Sequence, residues 1–356
     1  MPELDLILAP ALAPDDLIGL ELHFLDAIAA RQTAPVLLIY ASPGRCISIG
    51  RYHLFGAAPA HSENGISVIR RLTGGRVAGA GQGWLGLALI APTRTALLME
   101  DAAPVKKLKP EQIMNRYARG ILTGLRALGI DCFYPGRDAI TFKQREIAMC
   151  TFETDAAGAM LFEAAIAHNR GMEELVHDLE RIDPDGALSC RMYDAASATK
   201  VVRELARDVS FDELAGAIAS GYRSSLGQTR RRELTAIESA QAQHRGDALA
   251  NSNSMHRPVA GASPTLRNRI ASQLGAIEAA VALKADRTIE AVRLSGDFIA
   301  NSPAIAQLES ELRGHPLDLA SVSHAVAKTF GDNETDNFFL GAGELSNLVR
   351  LIAGVN

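Results

Sequence analysis

The sequence predicts an α/β (α+β) protein: a mixed, mainly antiparallel sheet flanked by helices, followed by a small α+β accessory unit. Three observations predict it. Apolar runs such as residues 36–40 and 66–69 recur between longer amphipathic stretches, the pattern of buried strands among surface helices. Residues 139–142, 146–152 and 159–167 follow one another across short breaks, as strands of a meander do. After Ser224 the composition shifts, and Asn251-Ser252-Asn253-Ser254 followed by Pro258, Gly261 and Pro264 reads as a linker. The expected organisation is therefore a main domain over 1–228, a helical segment and linker over 229–264, and an accessory domain over 265–356.

Each element has its own signal. Residues 4–8 read as a strand. Asp15 and Asp16 are placed to cap a helix running to Ala30, with Leu17, Leu20, Leu22, Phe24, Leu25 and Ile28 as its apolar face. Strands are expected over 36–40, 46–50 and 66–69, and a fourth over 86–91 after a glycine-rich loop. Pro110 suits a first helical turn; Ile113, Tyr117, Ile121, Leu122 and Leu125 follow at helical spacing, and Gly129 ends the helix. Ser210-Phe211-Asp212-Glu213 is a capping-box pattern opening a helix towards Tyr222. A further helix is expected over 233–250, with Arg230-Arg231-Arg232 at its start as a solvated basic face. In the last unit, residues 275–283 and 288–294 alternate around Asp286-Arg287 as a hairpin, and helices follow over 302–312 and 317–330.

Composition bounds the function. The 356 residues are 47% hydrophobic and 22% charged, ordinary for a globular chain with a sizeable core. A net charge of −5 argues against bulk nucleic-acid binding. No apolar run has the length of a membrane span, and the N-terminus lacks the basic and apolar regions of a signal peptide, so a cytoplasmic protein is expected. Cys46, Cys132, Cys150 and Cys190 are scattered without CxxC spacing, which suits reduced thiols, and the nine histidines show no metal-ligand spacing. Most of the histidines, His168 among them, read as surface residues.

The strongest chemical signal is Arg70-Arg71-Leu72-Thr73-Gly74-Gly75, directly behind the apolar run 66–69. Glycine lets backbone approach a ligand and adopt positive φ, and arginine is a permanently charged fork, so this loop suits an anion. With Glu21, Ser48-Ile49-Gly50-Arg51-Tyr52, Glu63-Asn64-Gly65, Gly136-Arg137-Asp138 and Gly296-Asp297-Phe298 in that order, the chain resembles the lipoate–protein ligase A family, within the biotin ligase, lipoate ligase and octanoyl transferase superfamily. The resemblance covers almost the whole chain and implies a class II synthetase-like fold. It also implies a two-step chemistry. A small acyl acid such as lipoate or octanoate attacks ATP, with Mg2+, to give an acyl-adenylate, and a lysine of a lipoyl-type carrier domain then takes the acyl group. Arg70, Gly74 and Gly75 are the ligand-binding residues the resemblance assigns, with Arg51 and Arg137 beside them; Arg76, new to the loop, reads either as a further phosphate contact or as a solvated surface arginine, and Arg71 as a structural partner.

The departures bear on activity. Where the family has a third glycine this chain has Arg76; the family's His-Asp pair is Ala80-Gly81 and its asparagine is Trp84. The family lysine falls at Glu146, and a histidine of the following strand at Phe162. A glutamate repels the anions a lysine would hold, and losing such a contact costs about 2–5 kcal/mol. Lys143 and Arg145 are expected on one strand face with Glu146 on the other. Cys132 stands where some acyltransferases of the superfamily carry a nucleophile, but it also reads as a buried hydrophobe. Three readings follow: a ligase-like enzyme; a non-catalytic relative binding an acyl ligand, a carrier domain or a ligase subunit; and a Cys132-based transferase. Arg70, Gly74, Gly75 and Glu146 are expected to line one pocket, and Trp84 and Cys150 to serve packing.

Overall fold

The computed structural model describes residues 3–54, 65–98, 108–182, 197–250, 263–331 and 337–355. Glu63, Asn64, Cys190 and most of the expected linker lie outside them. The chain runs β1 (Leu4–Ala9), α1 (Pro14–Ala29), β2 (Val36–Tyr40), β3 (Arg45–Ile49), β4 (Ile66–Arg70), β5 (Ala78–Gly79), β6 (Trp84–Ala91) and α2 (Pro110–Ala127). It continues β7 (Ala139–Phe142), β8 (Arg145–Thr154), β9 (Met160–Ala167), α3 (Met172–Ile182), α4 (Val201–Leu205), α5 (Phe211–Leu226), β10 (Thr229–Arg231) and α6 (Ala236–Ala250). The last part comprises β11 (Leu266–Ala271), β12 (Ala276–Leu283), β13 (Ile289–Gly296), β14 (Ile299–Ala300), α7 (Ser302–Glu311), α8 (Leu319–Phe330), β15 (Phe339–Leu340) and α9 (Leu345–Ala353).

Seven strands form the main sheet in the order β10-β1-β2-β6-β9-β8-β7. β1 runs parallel to both its neighbours and the other pairings are antiparallel. Alternation along each strand explains why nearly every residue is apolar: successive side chains serve opposite faces, and both faces are covered. Leu37, Ile39, Leu87 and Leu89 pack with Tyr117, Ile121 and Tyr222 of α2 and α5, whereas Val36, Leu38, Tyr40 and Ile90 pack with Leu20, Phe24 and Ile28 of α1. A second sheet, β4-β3-β5, carries the arginine–glycine loop. The C-terminal unit has an antiparallel sheet β11-β12-β13 under α7, α8 and α9. It also lends Leu274, Ile299 and Phe338 to the main core, and Tyr52 joins its core in return.

Several sequence readings change. Asp15 and Asp16 occupy the first turn of α1, whose N-cap is Ala13 ahead of Pro14. Ser210 does cap α5 by accepting from the Glu213 amide at 3.1 Å, but the Glu213 carboxylate turns outward to Arg207. The triple-arginine run does not open a helix: Arg230 and Arg231 lie in β10 beside β1 and stay solvent-exposed as expected, while Arg230 and Arg232 both bond the buried Asp5. Lys143 shares no strand face with Arg145. It sits with Gln144 in a two-residue hairpin turn at φ +49° and +64°, and β8 starts at Arg145. His168 is half-buried and its ring bonds the Val209 carbonyl at 2.7 Å. Neither β11 nor α9 was legible, because short segments at the end of a chain carry too few periods.

Candidate functional site

The loop leaving β4 is held from three sides. Arg70 lays its Nη1 against the carbonyls of Gly50, Arg51 and His53 at 3.1, 3.3 and 3.0 Å. Burial, and then the neighbouring Arg71, bring its pKa down to about 10, so it remains cationic at neutral pH. Arg71 is buried and braces the loop from within. Its Nε meets Thr73 Oγ1 at 3.1 Å, Nη1 the Ser48 carbonyl at 3.1 Å, and Nη2 the carbonyls of Gly74 and Arg76, each at 2.6 Å. The guanidinium fork matches this many carbonyls where an ammonium cannot.

The two glycines face the C-terminal unit. Gly75 takes φ +93° and donates its N–H to the Phe298 carbonyl at 2.7 Å. A Cβ on Gly74 would run into that same carbonyl, so only glycine permits the approach. Thr151 of β8 donates to the Gly74 carbonyl at 3.0 Å. Phe298 in turn stacks between Tyr52 and Phe339, with ring centroids 4.5 and 4.6 Å apart.

Arg76 turns away from the loop towards β7 and β8. It meets Asp138 through Nε and Nη2 at 2.6 and 3.1 Å, and Glu146 through Nη2 at 3.0 and 3.1 Å. One cation is thus shared by two carboxylates. Burial raises Glu146 to about 7, Arg76 opposes the rise, and Asp138 adds to it. The side chains of Arg76, Asp138 and Glu146 are 5, 4 and 14% exposed, which makes this a nearly dry ion cluster. Glu146 therefore stands beside the loop, reached through Arg76.

Beneath the loop lies a cavity of about 20 Å³, room for roughly one water as it stands. Leu17, Ile18, Ile69 and Met149 form apolar walls, Ala78, Gly79 and Ala80 a narrow side, and Ser48, Arg71, Thr151 and Glu163 its polar part. Arg71 lines it where the sequence pointed to Arg70. Glu163 accepts from the Thr73 hydroxyl, and Glu21 of α1 is a second buried carboxyl close enough to feel its charge. Burial first, and the Glu163 charge second, raise Glu21 well above the ordinary carboxylate range; burial also raises Glu163, against the pull of Arg71.

The other expected residues fall as follows. Arg51 donates to the Leu72 carbonyl at 3.4 Å and its amide to the Thr73 carbonyl at 2.8 Å. Arg137 is exposed in the turn before β7. Lys143 lies over the Phe142 ring, 4.9 Å from its centroid. Cys132 is fully buried in the main core, where burial pushes its thiol up to about 12. Cys150 and Phe162 are core residues. Trp84 is buried against Gly79, a wall of the cavity. Sequence reasoning missed Glu163. The available signal was a lone carboxylate inside the apolar run Met160-Leu161-Phe162-Glu163-Ala164, since charges are almost never buried unpaired. Among the described residues, no three His, Cys, Asp or Glu side chains converge as a metal site, and no helix is long and apolar enough to cross a membrane.

A mixed sheet flanked by helices, an Arg-Arg-x-Thr-Gly-Gly loop and a pocket under it define an acyl-ligase-like fold. The family profile described as Lipoyl protein ligase A/B catalytic domain matches residues 14–223. This chain belongs to that family. It is 23% identical over 245 residues to the octanoyltransferase LipM of Exiguobacterium sp., covering 61% of this chain and 84% of that protein. Among solved structures it is similar to P. falciparum LipL1 in complex with lipoate, with a TM-score of 0.66, 13% identity and 99% of both chains covered. A lipoate-protein ligase A bound with ATP gives a TM-score of 0.51 at 19% identity, over 71% of this chain and 96% of that one. The bipartite lipoate protein ligase of Thermoplasma acidophilum, described with its E2 lipoyl domain, gives 0.51 at 18% identity, over 72% and 100%. These likenesses establish the fold, including the expected mainly antiparallel sheet.

Proposed function

We propose that this chain is a non-activating member of the lipoate ligase family. It binds a small apolar acyl group of the lipoate or octanoate class at the loop, whose cavity, closed to about one water in this structure, must open to admit it, and serves a lipoyl-type carrier domain. The observation carrying this reading is the state of the loop's cations. Activation of an acid by a nucleotide gathers negative charge between two anions and needs preorganised donors. Here Arg70 is spent on three carbonyls, Arg71 on the loop itself and Arg76 on Asp138 and Glu146; the Gly75 amide is taken by Phe298. With these contacts in place the loop offers no unengaged donor pair for a nucleotide phosphate. Cys132 has neither exposure nor a lowered pKa, which speaks against a thioester route.

A second reading, ATP- and Mg2+-dependent ligation to a carrier lysine, is favoured by the retained loop from Thr73 to Gly75 with Arg70 behind it. It requires the Phe298 carbonyl and the backbone partners of Arg70 to be displaced. The two readings separate when the full chain is incubated with an apo-lipoyl domain, lipoate or octanoate, ATP and Mg2+. The first predicts an unchanged carrier mass; the second predicts acylation. The carrier, the buried reduced thiols and a cytoplasmic setting form one coherent proposal. We take the main unit to extend through β10 and α6, since these pack on β1 and α1, with β11 as the first strand of the accessory unit.

A further inference from the structure

Where α3 packs on β3, two arginines share one buried carboxylate. The side chain of Asp178 in α3 is 3% exposed. Arg45, the first residue of β3, donates from Nη2 to its Oδ1, and Arg170, in the turn ahead of α3, donates from Nη2 to its Oδ2 at 3.1 Å. These two side chains are 34 and 22% exposed, so each guanidinium is anchored on its inner side and wet on its outer. The backbone beneath is pinned as well. The amides of His168, Asn169 and Arg170 all donate to the Gly83 carbonyl, and the Gln82 amide donates to the Gly44 carbonyl beside Arg45. The other acids of α3 are engaged elsewhere: Glu173 and Glu174 meet Lys200, and Glu180 meets His177. Burial first, and then the like charges of Arg181 and Arg170, hold the Arg45 guanidinium below its ordinary pKa.

The donors of this cluster exceed its acceptors. Arg45 Nε is buried and has no hydrogen-bond partner among the described residues, and a buried donor in that state costs stability until an acceptor reaches it. Two guanidiniums on one carboxylate also leave a positive charge in excess. A further oxyanion would meet both demands. A carboxylate brings a single charge and planar oxygens, whereas a phosphoryl group brings more charge and a tetrahedral set of oxygens that two forks can hold at once. We propose that Arg45 and Arg170 form a binding site for a phosphoryl group, carried by a phosphate monoester or as inorganic phosphate, with Asp178 as the positioning residue that holds the two forks side by side. The site stands at the opposite end of β3 from the Gly50–Arg51 turn that Arg70 holds, roughly 16 Å away at about 3.3 Å per residue. It is therefore separate from the cavity beneath the loop and does not rest on the acyl-binding reading.

Calorimetric titrations of the full chain at low salt and about pH 8, where a phosphoryl group is a dianion, compare inorganic phosphate, glycerol 2-phosphate and acetate. The emission of Trp84, the one tryptophan and the neighbour of Gly83, is a second reporter. Phosphate is expected to bind at least about tenfold tighter than acetate, and to weaken steeply as salt is added. Arg45→Gln and Arg170→Gln each leave Asp178 one arginine, and each is expected to weaken phosphate about tenfold with little change in melting temperature. Arg45→Lys keeps a cation for Asp178 but loses the fork; it should weaken phosphate too, a loss that a purely structural ion pair would not show. Glycerol 2-phosphate binding as tightly as phosphate assigns the site to a monoester whose ester arm points to solvent, and binding of inorganic phosphate alone assigns it to the free ion. Acetate binding as tightly as phosphate, no binding of either phosphate, or binding unchanged in all three variants overturns the inference and leaves the acyl-binding reading untouched.

Discussion

Arg76 and Glu146 stand in direct contact, Nη2 lying 3.0 and 3.1 Å from the two carboxylate oxygens, seventy positions apart in the chain. These are two of the positions at which the sequence was expected to depart from the family pattern, and the fold brings them together. Asp138 and Glu146 flank the Arg76 guanidinium there.

Removing one partner exposes the other's buried charge. Arg76→Ala leaves Asp138 and Glu146 together without a cation and is expected to cost about 3–5 kcal/mol. Arg76→Ala combined with Glu146→Gln should cost less than the sum of the single changes. Urea denaturation of the four proteins of this cycle checks it; additive effects would show that the two side chains are independent.

The pH dependence of stability has a definite sign. The unfolded chain loses the Glu146 proton near the ordinary 4.5, whereas the folded chain holds it to about 7. Between those values the folded state binds more protons, so stability falls as pH rises through the window. Glu153, also raised to about 7 by burial, acts in the same direction. Glu146→Gln should flatten the decline. Thermal melts at intervals from about pH 5 to 8 decide the matter, and a wild-type stability that climbs across this range would contradict the assignment.

Gly74→Ala places a methyl against the Phe298 carbonyl. Relieving that clash should cost about 1–3 kcal/mol and loosen the seating of the C-terminal unit, seen as faster proteolysis between the two units. An unchanged digestion pattern would mean that the contact is not needed for docking.

The elements of the main sheet were legible because strands covered on both faces are continuous apolar runs, as at 36–40 and 86–91, and because Pro110 and Ser210 punctuate helices by local chemistry. The anion-type loop was legible for the same local reason. Its partners were not. Arg71 reaches Ser48 and Arg76 reaches Asp138 and Glu146 only after β3, β4 and the β7–β8 hairpin are brought together. The Phe298 carbonyl that takes the Gly75 amide comes from more than two hundred residues downstream. Spacing rules see neighbours on one element, whereas this site is made by contacts between elements far apart in the chain.

Met149 is the flexible wall of the cavity. Met149→Ala should destabilise the fold by about 2–5 kcal/mol while strengthening the binding of an eight-carbon acyl ligand, read from Trp84 emission. Weaker binding by a folded variant would place the ligand elsewhere.

Cys132 should behave as an inert core thiol. Iodoacetamide labelling followed by mass spectrometry of its peptide is expected to be slow in the native protein and fast in urea. Rapid native labelling would reopen the thioester route.

The central claim is that the Arg76–Glu146 pair replaces the cationic centre that acid activation needs. Its most direct test is the mass of an apo-lipoyl domain after incubation with octanoate, ATP and Mg2+ and either the wild-type chain or the Arg76→Gly, Glu146→Lys double variant. The account predicts an unmodified carrier with the wild type; an adduct formed by the double variant alone would assign the block to the Arg76–Glu146 pair rather than to the contacts of Arg70 and the Gly75 amide. An adduct formed by the wild type would contradict it.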